Sequence, residues 1–317
     1  MSMSPVSVFE HGGHTVSVVS LEPDSTVRSS PLPPPKPLLL AAPSEEGDYP
    51  MLVFLHGYLL RNSFYSQLFQ HVASHGFIVI APQLYSVAGP DSGEEIKSAA
   101  AVVDWLTEGL NHVLPGQVRP NTSKLAIGGH SRGGKVAFAI ALGHAKTSLK
   151  FSALMGIDPV DGMDKGKQTY PPILTYVPHS LDLGMAALVI GSGLGELKKN
   201  PLFPPCAPKG VSHQDFFDEC CAPACHFVAR DYGHLDMLDD ETKGVRGKAT
   251  YCLCKNGGSR KPMRAFVGGA MVAFMKAYLE GDSGFLMGIR DDPQISPVEL
   301  SVVNFLEPKI TEVSQRV

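Results

Sequence analysis

No stretch of this 317-residue chain is both long and apolar enough to span a bilayer. Apolar runs such as Ala186 to Ile190 are short or interrupted by glycine, so no transmembrane segment is expected. An excess of one charge sign is also missing. Lys and Arg total 27 against 31 Asp and Glu, a net charge of −4, which gives no reason to expect nucleic acid or an acidic membrane surface as partner. The N-terminus lacks the marks of a leader. Met1 to Ser7 carries no basic run, Val16 to Leu21 is too short for a secretory apolar core, and Glu10, Glu22 and Asp24 run against a transit peptide. Cysteine is sparse, with six residues, too few for a disulfide scaffold. None of them forms a C-x-x-C pair. The spacing of Cys206, Cys220, Cys221, Cys225, Cys252 and Cys254 suits a tetrahedral metal site poorly, even with His226 beside Cys225. Neither a metal nor another cofactor is expected; one or two disulfides bracing a late loop, or free thiols, account for these residues. No internal repeat is visible.

What is present describes one large globular α/β domain: 44% hydrophobic and 18% charged residues over 1–317. Thr15 to Leu21 and Pro37 to Ala42 read as strands, joined through the extended Pro31-Leu32-Pro33-Pro34-Pro35 connection. From Met51 onward strands alternate with helices. Met51 to Leu55, Phe77 to Ala81, Lys124 to Gly128, Ser152 to Ile157, Pro172 to Tyr176, Leu188 to Gly191 and His226 to Ala229 are the strands. The helices start at Asn62-Ser63, with a stripe of Phe64, Leu68, Phe69 and Val72, and then cover Glu94 to Val113, Lys135 to Leu142 and Arg264 to Leu279. Such alternation predicts a mostly parallel central sheet with helices on both faces. Lys198 to Cys225, rich in proline and cysteine, reads as a lid-like insertion carrying exposed Phe203, Phe216 and Phe217. Residues 284–317 read as a C-terminal extension.

Gly129-His130-Ser131-Arg132-Gly133 lies between a short apolar strand and a buried helix. A serine on so sharp a turn is held in a strained backbone with its hydroxyl projecting, and the helix behind it points N–H groups at developing negative charge. A serine hydroxyl needs a histidine to take its proton, and the histidine needs a carboxylate to fix its tautomer. His234, in Asp231-Tyr232-Gly233-His234-Leu235-Asp236, is the histidine that follows the last strand and precedes the closing helix. His213 lies in the insertion and His226 in a strand, while histidines 71, 75, 112, 130, 144 and 179 read as surface or packing residues. Asp158, ending a buried strand before Pro159, is the stronger acid candidate. Glu196, after a later strand, is its rival. Asp161 and Asp164 read as loop residues, solvated or bound to nearby backbone. The backbone N–H of Arg132 and that of Tyr58 are the candidate oxyanion donors, with the Arg132 guanidinium directed to solvent or the insertion and His56 a buried support for the Tyr58 loop.

Five segments together resemble the plant chlorophyllase family. They are Gly129 to Gly134, Asp158-Pro159-Val160-Asp161-Gly162 with the Gly156-Ile157 before it, Val189 to Glu196, Ala229 to Leu238, and Cys252-Leu253-Cys254-Lys255-Asn256-Gly257; the resemblance runs from about Val8 to Asp282. It implies an α/β-hydrolase fold and hydrolysis of the ester between phytol and the propionate of chlorophyll, and of pheophytin. It places the triad on Ser131, Asp158 and His234. It further implies a tetrapyrrole ester as the small-molecule substrate, peripheral contact with pigment-bearing membranes and a chloroplast location; the cytosol or an endomembrane surface is the alternative. On this reading Phe203, Phe216 and Phe217 supply an apolar surface for the macrocycle. A general lipase, cutinase or phospholipid acylhydrolase would use the same three residues. A ligand-binding receptor on the same fold would not need them all.

Overall fold

The computed structural model describes residues 7–23 and 32–308. Among these described residues nine strands form one sheet: β1 (Val16–Leu21), β2 (Leu38–Pro43), β3 (Gly47–Leu55), β4 (Ile78–Pro82), β5 (Val118–His130), β6 (Ala153–Ile157), β7 (Ala186–Ser192), β8 (Ala224–Ala229) and β9 (Leu300–Leu306). Their order is β1-β2-β4-β3-β5-β6-β7-β8-β9. The six strands from β4 to β8 run parallel, while β1, β2 and β9 pair antiparallel at the two edges. Seven α-helices accompany them: α1 (Ser66–Ser74), α2 (Gly93–Gly109), α3 (Arg132–Ala141), α4 (His213–Glu219), α5 (Gly244–Ala249), α6 (Arg260–Met275) and α7 (Gly284–Asp291).

Alternation along β3 shows why both faces must be covered. Leu52 and Phe54 point into one core, with Leu68 and Val72 of α1 and Phe266 and Ala270 of α6. Met51, Val53 and Leu55 point into the other, with Ile96 and Val103 of α2 and Val136 and Phe138 of α3. A period of two with apolar residues on both sides is what a doubly covered parallel strand requires. Parallel strands also gather their C-terminal ends, and the loops leaving them, at one end of the sheet. Residues 56–61, 83–92, 131, 158 onward, 193–212 and 230–259 all meet there.

Three expectations are corrected. Pro172 to Tyr176 is not a strand: the N–H groups of Ile173 and Leu174 go instead to the buried Asp161 carboxylate, at 2.8 and 2.9 Å. Within the expected insertion, residues 213–219 form α4 and the segment from Ala224 belongs to β8. The described part of the C-terminal extension supplies α7 and the ninth strand, which pairs with β8 from Ala224↔Leu306 to Ala229↔Leu300; residues 309–317 lie outside the described residues. So does Pro31 of the proline run. The Leu32 carbonyl accepts a hydrogen bond from Trp105 Nε1 at 3.1 Å, which fastens that connection to α2.

Candidate active site

Ser131 joins β5 to α3 with φ +56° and ψ −124°, a conformation that costs about 1–3 kcal/mol in a residue with a Cβ. Its surroundings enforce the turn. A methyl on Gly133 would fall 2.2 Å from the Leu55 carbonyl oxygen, so only glycine lets the helix start that close to β3. Leu59 (φ +59°) and Asp158 (φ +44°) share the left-handed region, and all three sit at the same end of the sheet.

His234 Nε2 lies 2.9 Å from Ser131 Oγ, and His234 Nδ1 lies 2.7 Å from Asp158 Oδ2. All three residues are buried. The Asp158 carboxylate forces a proton onto Nδ1, which leaves Nε2 as the acceptor facing the serine hydroxyl. Asp158 is held in turn by Ser192, whose N–H reaches Oδ1 at 3.2 Å and whose hydroxyl donates to Oδ2. Burial pushes the Asp158 carboxyl up, but the His234 hydrogen bond and charge outweigh it and bring it down to about 2. Glu196, the rival, is exposed on the loop beyond β7. Its segment supplies Ser192 as the acid's support.

The loop carrying Tyr58 is fixed from three sides. Gly57 N–H donates to Tyr65 Oη at 3.1 Å, and Leu59 N–H donates to Tyr85 Oη at 3.1 Å. His56 bridges from Nδ1 to the Gly57 carbonyl at 2.9 Å and accepts Leu84 N–H on Nε2 at 3.1 Å. Burial lowers His56 to about 4, so it is neutral support, as its place in the sequence indicates. The Arg132 N–H, at the first position of α3, has no acceptor within its own helix. The loop bearing Tyr58 leaves the end of β3, the strand next to β5, which carries the Ser131 turn.

Several side chains lie elsewhere than the sequence indicates. The Arg132 guanidinium is buried, not turned to solvent: it grips Glu95 at 2.8 and 3.0 Å, donates to the Gly89 and Asp91 carbonyls and stacks over Tyr58 at 5.2 Å. Burial raises the Glu95 carboxyl to about 7 against the opposing pull of Arg132. Asp161 is fully buried, not solvated, and pairs with the equally buried Lys135 at 2.9 Å. His130 takes the packing alternative of its expected surface-or-packing place and lies in the core. Phe216 and Phe217 are also core: Phe216 packs on Phe138 at 4.7 Å and Phe217 on His226 at 4.9 Å. The signal for this was Ser212 with Asp215 three residues on, a capping box that opens a helix and turns both phenyl rings inward. Phe203 is exposed, as expected. Cys206 and Cys254 form a disulfide that ties the residues after β7 to the loop bearing His234; Cys220, Cys221, Cys225 and Cys252 are free.

A doubly covered parallel sheet with a serine on the β5–α3 turn, an acid after β6 and a histidine after β8 defines the α/β-hydrolase class. Residues 4–307 match the family model described as Chlorophyllase. The chain is 62% identical to Chlorophyllase-2 of Arabidopsis thaliana over 301 residues, covering 92% of this chain and 94% of that protein. It is 45% identical to Chlorophyllase-1 of Arabidopsis thaliana over 97% of this chain and 94% of the relative. Identity is 42% to the protein of Citrus unshiu named Chlorophyllase-1, chloroplastic, over 97% and 91%. The chain belongs to the chlorophyllase family.

Proposed function

We propose that this protein, a carboxylic ester hydrolase of the chlorophyllase family, cleaves the phytyl ester of chlorophyll, and of pheophytin, to the free acid and phytol. The observation that carries the mechanism is the unbroken chain Ser131 Oγ, His234 imidazole, Asp158 carboxylate at 2.9 and 2.7 Å. Ser131 Oγ attacks the propionyl carbonyl carbon while His234 Nε2 takes its proton. The N–H groups of Tyr58 and Arg132 hold the oxyanion, and Asp158 stabilises the imidazolium. Collapse breaks the bond to the phytyl oxygen, which leaves with the proton from His234. Water, deprotonated by the same Nε2, then attacks the acyl-serine carbonyl; the bond to Ser131 Oγ breaks, Oγ takes back the proton from His234, and the pigment acid leaves.

With Phe216 and Phe217 in the core, the apolar surface for the macrocycle and the isoprenoid falls to the loops around Ser131. Tyr58, Val87, Leu202, Phe203, Val245 and Leu253 are exposed on segments that leave the C-terminal ends of β3, β4, β7 and β8. Val87, Leu202 and Val245 are 83, 88 and 87% exposed. We assign this rim to peripheral contact with pigment-bearing membranes. Among the described residues no helix is long and apolar enough to cross one. We place the reaction in the chloroplast, the location in the name of the Citrus unshiu relative; a fluorescent fusion of the full chain that stays in the cytosol would move it.

Purified protein given chlorophyll in lipid vesicles should release chlorophyllide, separable by chromatography, and a fluorophosphonate should label Ser131 and stop the release. Labelling without chlorophyllide, together with faster cleavage of p-nitrophenyl butyrate or a phospholipid, would transfer the assignment to a general lipase. No labelling would leave a receptor.

A further inference from the structure

Behind Ser131 runs a second buried polar chain that the reaction as written does not use. Gly57 N–H donates to Tyr65 Oη at 3.1 Å, Tyr65 Oη lies 2.7 Å from His130 Nδ1, and His130 Nε2 lies 2.9 Å from the His234 carbonyl oxygen. Its ends dictate its protons. An amide N–H only donates and a carbonyl only accepts, so His130 Nε2 must carry hydrogen. In a neutral ring Nδ1 then accepts, and the Tyr65 hydroxyl donates to it. Burial, and secondarily the neighbouring His234, keeps His130 well below the usual imidazole range, so the neutral arrangement persists. The chain joins the loop bearing Tyr58, the turn bearing Ser131 and the backbone of His234 itself. They converge closely: a methyl on Gly57 would fall 3.0 Å from His130 Nδ1 and 3.2 Å from Ser131 Cβ. The His130 ring also lies against that of His234, with centroids 4.6 Å apart and planes tilted by 40°.

We propose that His130 and Tyr65 are positioning residues that hold His234 in register with the Tyr58 loop, so that proton acceptor and oxyanion donor approach the ester as one unit. Their own protons stay in place through turnover: His130 is already a donor to the His234 carbonyl, and its remaining nitrogen is occupied by Tyr65. Because a neutral His130 cannot take a share of the charge when His234 is protonated, the coupling is geometric. This inference rests on the assignment of Ser131 and His234 as nucleophile and base.

Tyr65→Phe is the cleanest test, since it removes one oxygen and leaves the ring packed on Phe54 and Phe69, at 5.3 and 5.9 Å. The expected result is a fall in kcat of about 10- to 100-fold with KM nearly unchanged, matched by an equal slowing of Ser131 phosphonylation. A merely structural hydroxyl would lower the melting temperature and leave the kcat of the folded fraction alone. His130→Gln keeps a donor near the Nε2 position and loses the Tyr65 link. Its double variant with Tyr65→Phe should therefore be little slower than the worse single one. Wild-type kcat in Tyr65→Phe, or losses that multiply in the double variant, would overturn the proposal. If His130→Gln fails to fold, Tyr65→Phe alone decides. Turnover persisting in Ser131→Ala would overturn the mechanism beneath it, whereas an inert Ser131→Ala beside a fully active Tyr65→Phe would overturn the coupling alone.

Discussion

The two loops that flank the site on the β7 and β8 side, residues 193–212 and 230–259, both carry exposed apolar side chains, but only the second holds the proton acceptor, and around it the loop is clamped. In the second, Asp236 takes the N–H groups of Gly233 and Gly257 on one carboxylate oxygen, each at 2.7 Å, and so clamps the turn on both sides of His234. Arg260 and Arg264 hold the carbonyls of Asp239 and Leu238, and Gln67 N–H bonds the Asp239 carboxylate. In the first, Leu202 and Phe203 stand exposed. Their segment is tied by Leu194 N–H to the Tyr232 carbonyl, by Lys199 to the Tyr251 carbonyl, by Ala207 N–H to the Gly195 carbonyl and by the disulfide from Cys206 to Cys254. A proton acceptor misplaced by an ångström costs orders of magnitude in rate, so its loop is cross-linked by buried polar bonds. An apolar surface that accepts a long isoprenoid or a bilayer needs only area and exposure.

The comparison breaks first at the reacting atoms. Ser131→Ala should lower kcat about a million-fold while the melting curve stays in place, since no cavity is created; a few per cent residual activity in a pure sample would refute the nucleophile. Asp158→Asn should lower kcat about ten-thousand-fold by selecting the wrong imidazole tautomer, whereas Glu196→Gln stays near wild type. The reverse pattern would make Glu196 the acid. Asp236→Ala leaves two N–H groups without their acceptor, at a cost of about 1–3 kcal/mol each, and should lower both the melting temperature and kcat. An unchanged kcat would show that the clamp serves stability alone.

Acid should expose the same polar construction. Burial lowers His56 and His71 to about 4 and His226 to about 3, and holds His130 well below the usual imidazole range. Below pH 6.5 the unfolded chain takes up these protons and the folded chain does not, so each site costs about 1.4 kcal/mol of stability per pH unit until its folded value is reached. Glu95, raised to about 7, acts in the opposite sense: between 4.5 and 7 the folded chain keeps a proton that the unfolded chain loses. Burial raises Asp236 and Asp239 too, and lowers His75; three carboxyls do not offset five imidazoles. Urea unfolding should therefore show lower stability at pH 4.5 than at 6.5, and equal values would refute the neutral assignment. The smallest effect is expected in the open loop. Leu202→Ser with Phe203→Ser should reduce vesicle binding and chlorophyll turnover a few-fold, since these side chains are covered only in part at a bilayer or ligand and contribute a fraction of the about 1.5–3 kcal/mol of full burial. Hydrolysis of p-nitrophenyl butyrate should be unaffected. Equal losses on both substrates would show that this loop shapes the site after all.

Ser131, Asp158 and His234 could be picked from the sequence because each follows a short apolar strand, and parallel strands bring such positions to one end. The stripe of Phe64, Leu68, Phe69 and Val72 was equally readable, and all four side chains are buried. The strand at 300–306 was not, because an edge strand is half-exposed on both faces and alternation fades. Arg132 and Asp161 misled for a different reason. Charge reads as exposure until a partner is known, and Glu95 and Lys135 lie far along the chain from them. His130 was passed over because a buried imidazole is legible only through what it touches.

Local pattern by itself determined the alternating architecture, the strained serine turn and the chain order of serine, acid and histidine, since these depend on hydrophobic periodicity and on glycines a few residues apart. Which aromatic rings face solvent, which charges are paired in the interior and how three loops are joined through Tyr65 and His130 were decided only by the tertiary structure. Those bonds link residues up to 104 positions apart, as His130 and His234 are, and no local preference encodes them. Each is fixed by the requirement that a polar group removed from water find its partner wherever packing brings one.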